Sequence, residues 1–421
     1  EQVNVPLNVT YYFNGQVLNE YSVSQSALVG TTYTVENPFT DYDKRYMNAV
    51  CTVNGNRVDL EGNGWSVPVE GATSIQVVFT EELPFKTSKD FANANWQYLQ
   101  MNSSAWKYMQ KNENDDKTSK ADVSSLGDRA LWAFVGDAIN GFKILNKGAE
   151  GAVLTVDVAD DDIVDVAFAA RPIVVHDVRR AHTAAYMKKD GDQTWTIEKG
   201  NGGFIIRQGA TECLNDFAGG GVMKVWKADA SPSGAGSAFR TISVGVTDLK
   251  GLSFPGIFTL QAERSPLMYN STADNKTKLG SGMVSSIVAN ENDVNQQFMI
   301  GKSGTDGLYY LYSVGAEKFV DAELNFTDYP EPVLSFETNA ANPVYPWFVK
   351  INGKYVVPGG GGTDGNKLHH TSTPSDDDGK RYRIVNVGKN SELAQSLESS
   401  IEEVKSLELS LEELVSMAMA V

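Results

Sequence analysis

At 421 residues the chain exceeds what one hydrophobic core supports, so several domains are expected. A composition that is 41% hydrophobic and 10% aromatic, with 38 Gly and 14 Pro, describes a folded, turn-rich chain and excludes a disordered one. The formal net charge of −17 repels nucleic acid and anionic lipid, which argues against both as partners.

Residues 1–84 read as a small β-sandwich-like domain. Val9, Tyr11 and Phe13 alternate, Asn14-Gly15 turns the chain, and Val17 to Val23 returns. A second Asn-Gly pair, Asn54-Gly55, separates Val50–Val53 from Val58–Leu60. Ile75, Val77 and Phe79 form the last alternating strand, which Pro84 ends.

Residues 90–246 repeat one device, an aromatic followed by alternating apolar residues and a Gly-bearing turn. Trp132 and Phe134 lead through Gly136–Gly141 to Phe142 and Ile144. Trp195 and Ile197 lead through Gly200–Gly203 to Phe204 and Ile206, and Phe239 starts a third unit. Three units that each bury one aromatic predict a threefold barrel, because no unit covers its own apolar face. The charged run Lys107–Lys120 reads as a surface loop, and Arg179–Lys189 as a short helix or a loop insertion. Leu214–Phe217 and Val222–Trp226 read as another hairpin.

Residues 252–388 repeat the plan, with Phe298, Trp347 and Tyr382 assigned the places of Trp132, Trp195 and Phe239. In residues 391–421, Leu393, Leu397, Ile401, Val404, Leu407, Leu411, Leu414 and Ala418 recur at spacings of three and four. That spacing predicts an amphipathic C-terminal helix, either docked on the barrels or opening a further module and mediating a contact there. The expected fold class is thus all-β: a small N-terminal β domain, two tandem β-trefoil-like domains and a C-terminal α-helix.

Trp132–Asp137 with Gly141–Ile144, Cys213–Asp216 with Val225-Trp226, Gly236–Phe239 and Tyr11–Gly15 carry a resemblance. Together they resemble the non-catalytic regions of exported bacterial surface proteins with ricin-type β-trefoil modules, found beside glycosidases or peptidases. The likeness covers about residues 9–245; residues 252–388 share only the repeat pattern. The ricin-type Gln-x-Trp signature is kept in Gln193-Thr194-Trp195 but not at Leu131-Trp132 or Ser237-Ala238-Phe239. The resemblance implies an extracellular or cell-surface setting and a glycan or polysaccharide partner. Glu1-Gln2-Val3 is compatible with the start left after a leader is removed. No apolar run approaches the ~18 residues needed to span a bilayer.

A sugar site needs a flat aromatic face for the apolar side of the ring and a fixed carboxylate or amide for its hydroxyls. Asn215, Asp216, Trp226 and Asp229 offer this in one hairpin, with Asp216 before a glycine turn where its side chain can point outward. The alternative there is turn-holding polar groups and a core Trp226. In the second barrel Asp321, Tyr355, His369 and His370 are weaker candidates than this hairpin set. Adjacent histidines on a strand face opposite ways and make a poor metal pair. Trp132, Trp195 and Trp347 are assigned to the core.

Other motifs carry less. Pro358–Gly362 lacks the Lys-Ser/Thr of a phosphate loop, and Ser375–Tyr382 matches a non-catalytic Asp-box hairpin. Asp160–Asp162 lacks the spaced oxygens of a calcium loop. Cys51 and Cys213 fall in different domains, so neither a thiol metal site nor a disulfide is expected. No HExxH, GxSxG or Cys/His signature occurs, so no catalytic residue, metal or cofactor is assigned. Glycan binding without catalysis is the expected function. A protein–protein adhesin or scaffold segment, or the accessory region of a larger glycosidase or peptidase, is the alternative.

Overall fold

In the computed structural model, Asn14, Asn54 and Asn352 take φ of 47°, 47° and 52°, each followed by a glycine of positive φ. The Asn-Gly turns are therefore left-handed hairpin turns, as their sequence predicts. The structure describes residues 2–59, 63–101, 107–156, 184–200, 203–209, 212–216, 221–227, 236–252, 256–263, 291–357, 368–372 and 380–389. It also describes residues 395, 399, 401–403 and 406. The chain divides into two compact units, Glu1–Ile242 and Ser243–Val421.

The first unit begins with a six-stranded sheet and a two-stranded sheet. Asn4–Phe13 runs parallel to Thr73–Glu81, which runs antiparallel to Met47–Val53. Thr32–Glu36 pairs with Gly64–Pro68. Between them lies a core of Leu7, Val9, Tyr11, Trp65, Ile75 and Phe79. The alternation that fills it is the period-two pattern of the sequence.

The rest of the first unit is a closed six-stranded barrel. Gln97–Met101 pairs with Leu131–Asp137, which pairs with Gly141–Asn146. Phe142 then bridges to Trp195 beside Thr196–Gly200, which pairs with Gly203–Gln208. Phe239–Ser243 lies between that strand and Gln97–Met101, and so closes the ring. Each third of the ring carries one outer hairpin: Tyr108–Lys111 with Thr118–Ala121, Ala152–Thr155 with Tyr186–Lys189, and Glu212–Asn215 with Lys224–Lys227. The three hairpins touch in pairs through Lys117↔Tyr186, Ser119↔Val222 and Ala184↔Lys224. A six-stranded ring capped by three mutually bridged hairpins is a β-trefoil arrangement.

Two expectations are corrected here. The run Lys107–Lys120 holds a cap hairpin, with Tyr108, Met109 and Thr118 buried. Tyr186–Lys189 is a strand, not a helix. Each of these strands is only four residues long and ends in lysine, which leaves too short an apolar run for the period-two pattern to show.

The second unit contains a ring of the same kind. Gly256–Ala262, Gln297–Lys302, Tyr309–Ser313, Leu334–Thr338, Trp347–Ile351 and Arg381–Lys389 pair successively, and the last returns to the first. Lys318–Val320 with Phe326-Thr327, and Lys354–Val357 with His369–Thr371, are its described outer hairpins. Trp347 does not take the place of Trp132 and Trp195. It opens the third repeat and pairs with Tyr382, while on the closing strand of the second repeat the equivalent position, opposite Tyr309, is held by Leu334. Helical residues follow, and Ile401 is buried with Ile257, Met299, Tyr310, Tyr312 and Phe319.

Buried aromatics need partners for their polar edges. Trp132 Nε1 donates to Met109 O at 2.8 Å, and Trp195 Nε1 to Leu154 O at 2.9 Å. Tyr382 Oη donates to Val356 O at 2.9 Å. In each case the barrel aromatic holds the first strand of its own cap hairpin. Trp132, Trp195 and Trp347 are all core residues, as assigned. Both barrels also share a seam: Arg240 donates to Gln100, and Arg383 to Gln261, each joining the last strand to the first.

Candidate functional site

The third cap hairpin of the first barrel carries the first candidate set. Asn215 and Asp216 leave the strand Glu212–Asn215, and Trp226 sits opposite Cys213 on the partner strand. Asn215 Nδ2 donates to Ser237 Oγ at 2.6 Å, and Asp216 N donates to Gly236 O at 2.8 Å. The Asp216 carboxylate lies 2.6 Å from Lys120 Nζ, with its side chain 8% exposed. It thus turns inward to the first cap hairpin rather than outward as the sequence suggested. The pair ties two of the three hairpins together, next to the Ser119↔Val222 bridge. The side chain of Trp226 and the whole of Asp229 lie outside the described residues. So do Asp160–Asp162, Gly359–Gly362 and Ser375–Gly379.

Cys213 and Cys51 are free and buried. Burial pushes the Cys51 thiol up to about 11 and raises that of Cys213, so neither is a reactive thiolate near neutrality. Among the described residues no group of three His, Cys, Asp or Glu side chains is placed to hold a metal ion. Also among them, no helix is long and apolar enough to cross a membrane.

The second barrel brings its candidates to two different hairpins. Asp321 begins the turn between Lys318–Val320 and Phe326-Thr327. Its Oδ1 accepts from Glu323 N at 2.9 Å and Asn325 N at 2.7 Å, and its Oδ2 from Asn325 Nδ2 at 3.1 Å. That bonding holds Leu324 at φ 63°. Past the hairpin the chain returns, so that Glu331 Oε2 accepts from Ala322 N at 3.3 Å. Between these points stands Tyr329, 77% exposed, with Asp328 paired to Lys318 at 2.5 Å. Tyr329 is the one aromatic among the exposed large hydrophobic residues described; the others are valines.

Tyr355 begins the neighbouring hairpin and is itself buried. Its Oη lies 3.1 Å from Glu337 Oε2, and the Lys350 ammonium is 4.5 Å from its ring centroid. Lys350 pairs with Glu337, which holds that carboxyl below its usual range and raises the lysine. Phe348 meets Tyr355 edge-on at 5.8 Å. Along Trp347–Ile351 the odd residues are buried and Phe348 and Lys350 are half-buried on the outer face. This second constellation is therefore a ring supported by an ion pair on the barrel wall.

The sequence reading named Asp321 and Tyr355 as candidates; it did not name Tyr329, Glu331, Glu337 or Lys350, which the structure places beside them. For Tyr329 the signal was available: Thr327-Asp328-Tyr329-Pro330-Glu331-Pro332 sets an aromatic among acids and prolines, outside any apolar alternation. Glu337 and Lys350 carry no such signal, since only strand pairing joins them.

No family model matches the chain. No curated protein matches it either. Among solved structures, a mosquitocidal holotoxin is similar over 79% of this chain and 39% of its own, with 12% identity and a TM-score of 0.29. The chain therefore spans about two fifths of that protein's length. A Polyporus squamosus lectin bound to a sialylated influenza-binding epitope matches 32% of this chain and 49% of its own, with 14% identity and a TM-score of 0.24. A non-toxic homologue of type II ribosome-inactivating proteins from Momordica charantia, in complex with α-methyl-D-galactoside, matches 70% of this chain and 100% of its own. Its identity is 10% and its TM-score 0.22. Scores of this size identify neither a shared site nor a shared ligand.

Proposed function

We propose that this protein binds carbohydrate without transforming it, and that the hairpin bearing Tyr329 makes the contact. The observation that carries the reading is a tyrosine ring left 77% exposed, two residues from Glu331, whose carboxylate is brought to the Asp321 turn. A pyranose has an apolar face that covers such a ring and hydroxyls that donate to fixed carboxylates. Asp321 is already held by two backbone N–H groups and an amide, so it is oriented before a ligand arrives. The setting we propose, from the sequence resemblance, is extracellular, at a bacterial cell surface.

Affinity electrophoresis of the full chain against a panel of polysaccharides, followed by a glycan array, tests the proposal. Retardation by at least one polysaccharide, abolished by Tyr329→Ala without a change in the melting curve, is the expected result. Free migration in every gel, with no signal on the array, would overturn it.

A further inference from the structure

The N-terminal domain and the first barrel exchange parts at their joint, and each completes the other's core. The barrel gives the turn after Leu131–Asp137 to the domain. Ala138 is 4% exposed within the domain's core cluster, and Ile139 packs against the same cluster. Both polar groups of Ala138 are met from the domain side: its N–H donates to Glu81 Oε2 at 3.0 Å, and its carbonyl accepts from Arg45 Nη1 at 3.5 Å. Burial raises the Glu81 carboxyl above its ordinary value even though it accepts this bond.

The segment that leaves the domain, and Tyr46 within the domain, give aromatic rings to the barrel in return. Phe85 stacks on Phe134 at 4.2 Å and 22°, and meets Phe142 and Phe204 at 5.4 and 5.3 Å. It fills the barrel interior from a residue just outside the last strand of the domain. Thr87-Ser88 then runs parallel to the barrel strand, Phe134 opposite Thr87. Tyr46 packs against the barrel core, and burial pushes its phenol up to about 12. The Lys199 ammonium lies 5.7 Å from its ring centroid, and Lys199 N donates to Lys44 O at 2.7 Å.

Tyr46 carries the decisive detail. It holds φ at 61°, in the left-handed region a bulky side chain enters only under constraint. Its carbonyl accepts from Glu82 N at 2.7 Å, so the strained residue is clamped at the chain's exit from the domain. Such strain persists where the surroundings over-determine it. Here the surroundings belong to both bodies.

We infer that the N-terminal domain and the first barrel are one cooperative body, in which neither core is complete alone and no hinge lies between residues 81 and 97. The N-terminal domain thereby fixes the direction in which the first barrel's cap hairpins face, as a rigid mount and not as a bead on a linker. The inference is independent of any glycan site on the second barrel.

Hydrogen exchange of the full chain under increasing denaturant tests it. Peptides covering Thr73–Glu81 in the domain and Gly203–Gln208 in the barrel are compared. Loss of protection by both at the same denaturant concentration is expected. Phe85→Leu and Tyr46→Phe are then expected to lower that shared midpoint for both peptides together. Separate midpoints in the unmodified chain would overturn the inference. So would a variant that moves the barrel peptide and leaves the domain peptide in place.

Discussion

The seam of the second barrel offers the sharpest test of how these rings close. Arg383 is 5% exposed, and its Nε donates to Gln261 Oε1 at 3.1 Å, with Nη2 bonded to the same oxygen. Gln261 is 2% exposed and passes its Nε2 to Thr259 Oγ1 at 2.7 Å. The guanidinium stands 5.4 Å from the Tyr345 ring, a further favourable contact. Gln261→Leu keeps the volume but removes the acceptor, and so leaves a buried cation short of a partner. Hydrogen bonds to charged groups are worth about 1.5–3 kcal/mol, and an uncompensated buried charge costs about 3–5 kcal/mol. The retained Tyr345 contact places the expected loss near the lower figure, about 3 kcal/mol. For a unit of this size that lowers Tm by about 6–12 °C. Removing both partners, Gln261→Leu with Arg383→Met, should cost less than Gln261→Leu alone, because no charge is left stranded. A double-mutant cycle by urea denaturation, followed by exchange in Gly256–Ala262, measures this. Additive single effects, or a Gln261→Leu cost below about 0.5 kcal/mol, would refute the clamp.

Three further outcomes are expected. Tyr329→Ala should leave stability within about 0.5 kcal/mol, since the ring is exposed, while abolishing polysaccharide retardation. Gly136→Ala should destabilise the first unit by more than about 2 kcal/mol: its φ is 140°, and an added Cβ would lie 2.1 Å from Gly141 O. Thermal melts read that directly, with Gly15→Ala, which meets nothing within 4 Å, as the strain-only comparison. At alkaline pH the first unit should weaken. Burial pushes Tyr11 and Tyr46 up to about 12 and Cys51 up to about 11. A raised folded value keeps the proton on in the native state, so the contribution is whole below pH ~9 and is lost as pH climbs through 11 to 12. Tyr11→Phe should flatten the decline in a series of melts from pH 8 to 12; an unchanged slope would count against a buried phenol there.

The comparison of sequence with structure turns on what alternation can encode. Period-two runs such as Val9-Thr10-Tyr11-Tyr12-Phe13 and the Asn-Gly turns specify strand, face and reversal locally, so the all-β class and the buried tryptophans were legible. The cap hairpins were not, because Tyr108–Lys111 and Tyr186–Lys189 are four residues long and end in lysine, too short for an alternation to show. Register between distant strands leaves no local mark either. Glu337 reaches Lys350 and Tyr355 only through the pairing of Leu334–Thr338 with Trp347–Ile351.

Asp216 shows the limit most plainly: before a glycine-rich turn its side chain has every local licence to face water, and Lys120, ninety-six positions earlier, turns it inward. What the chain alone determined was where β-structure runs, which rings are buried and how each hairpin reverses, since those follow from neighbours a few residues apart. Ring closure, the exchange of Ala138 and Phe85 across the joint, and the pairing of Asp216 with Lys120 were decided only by tertiary structure. Each depends on groups that meet after distant segments have packed, and sequence distance does not encode that meeting.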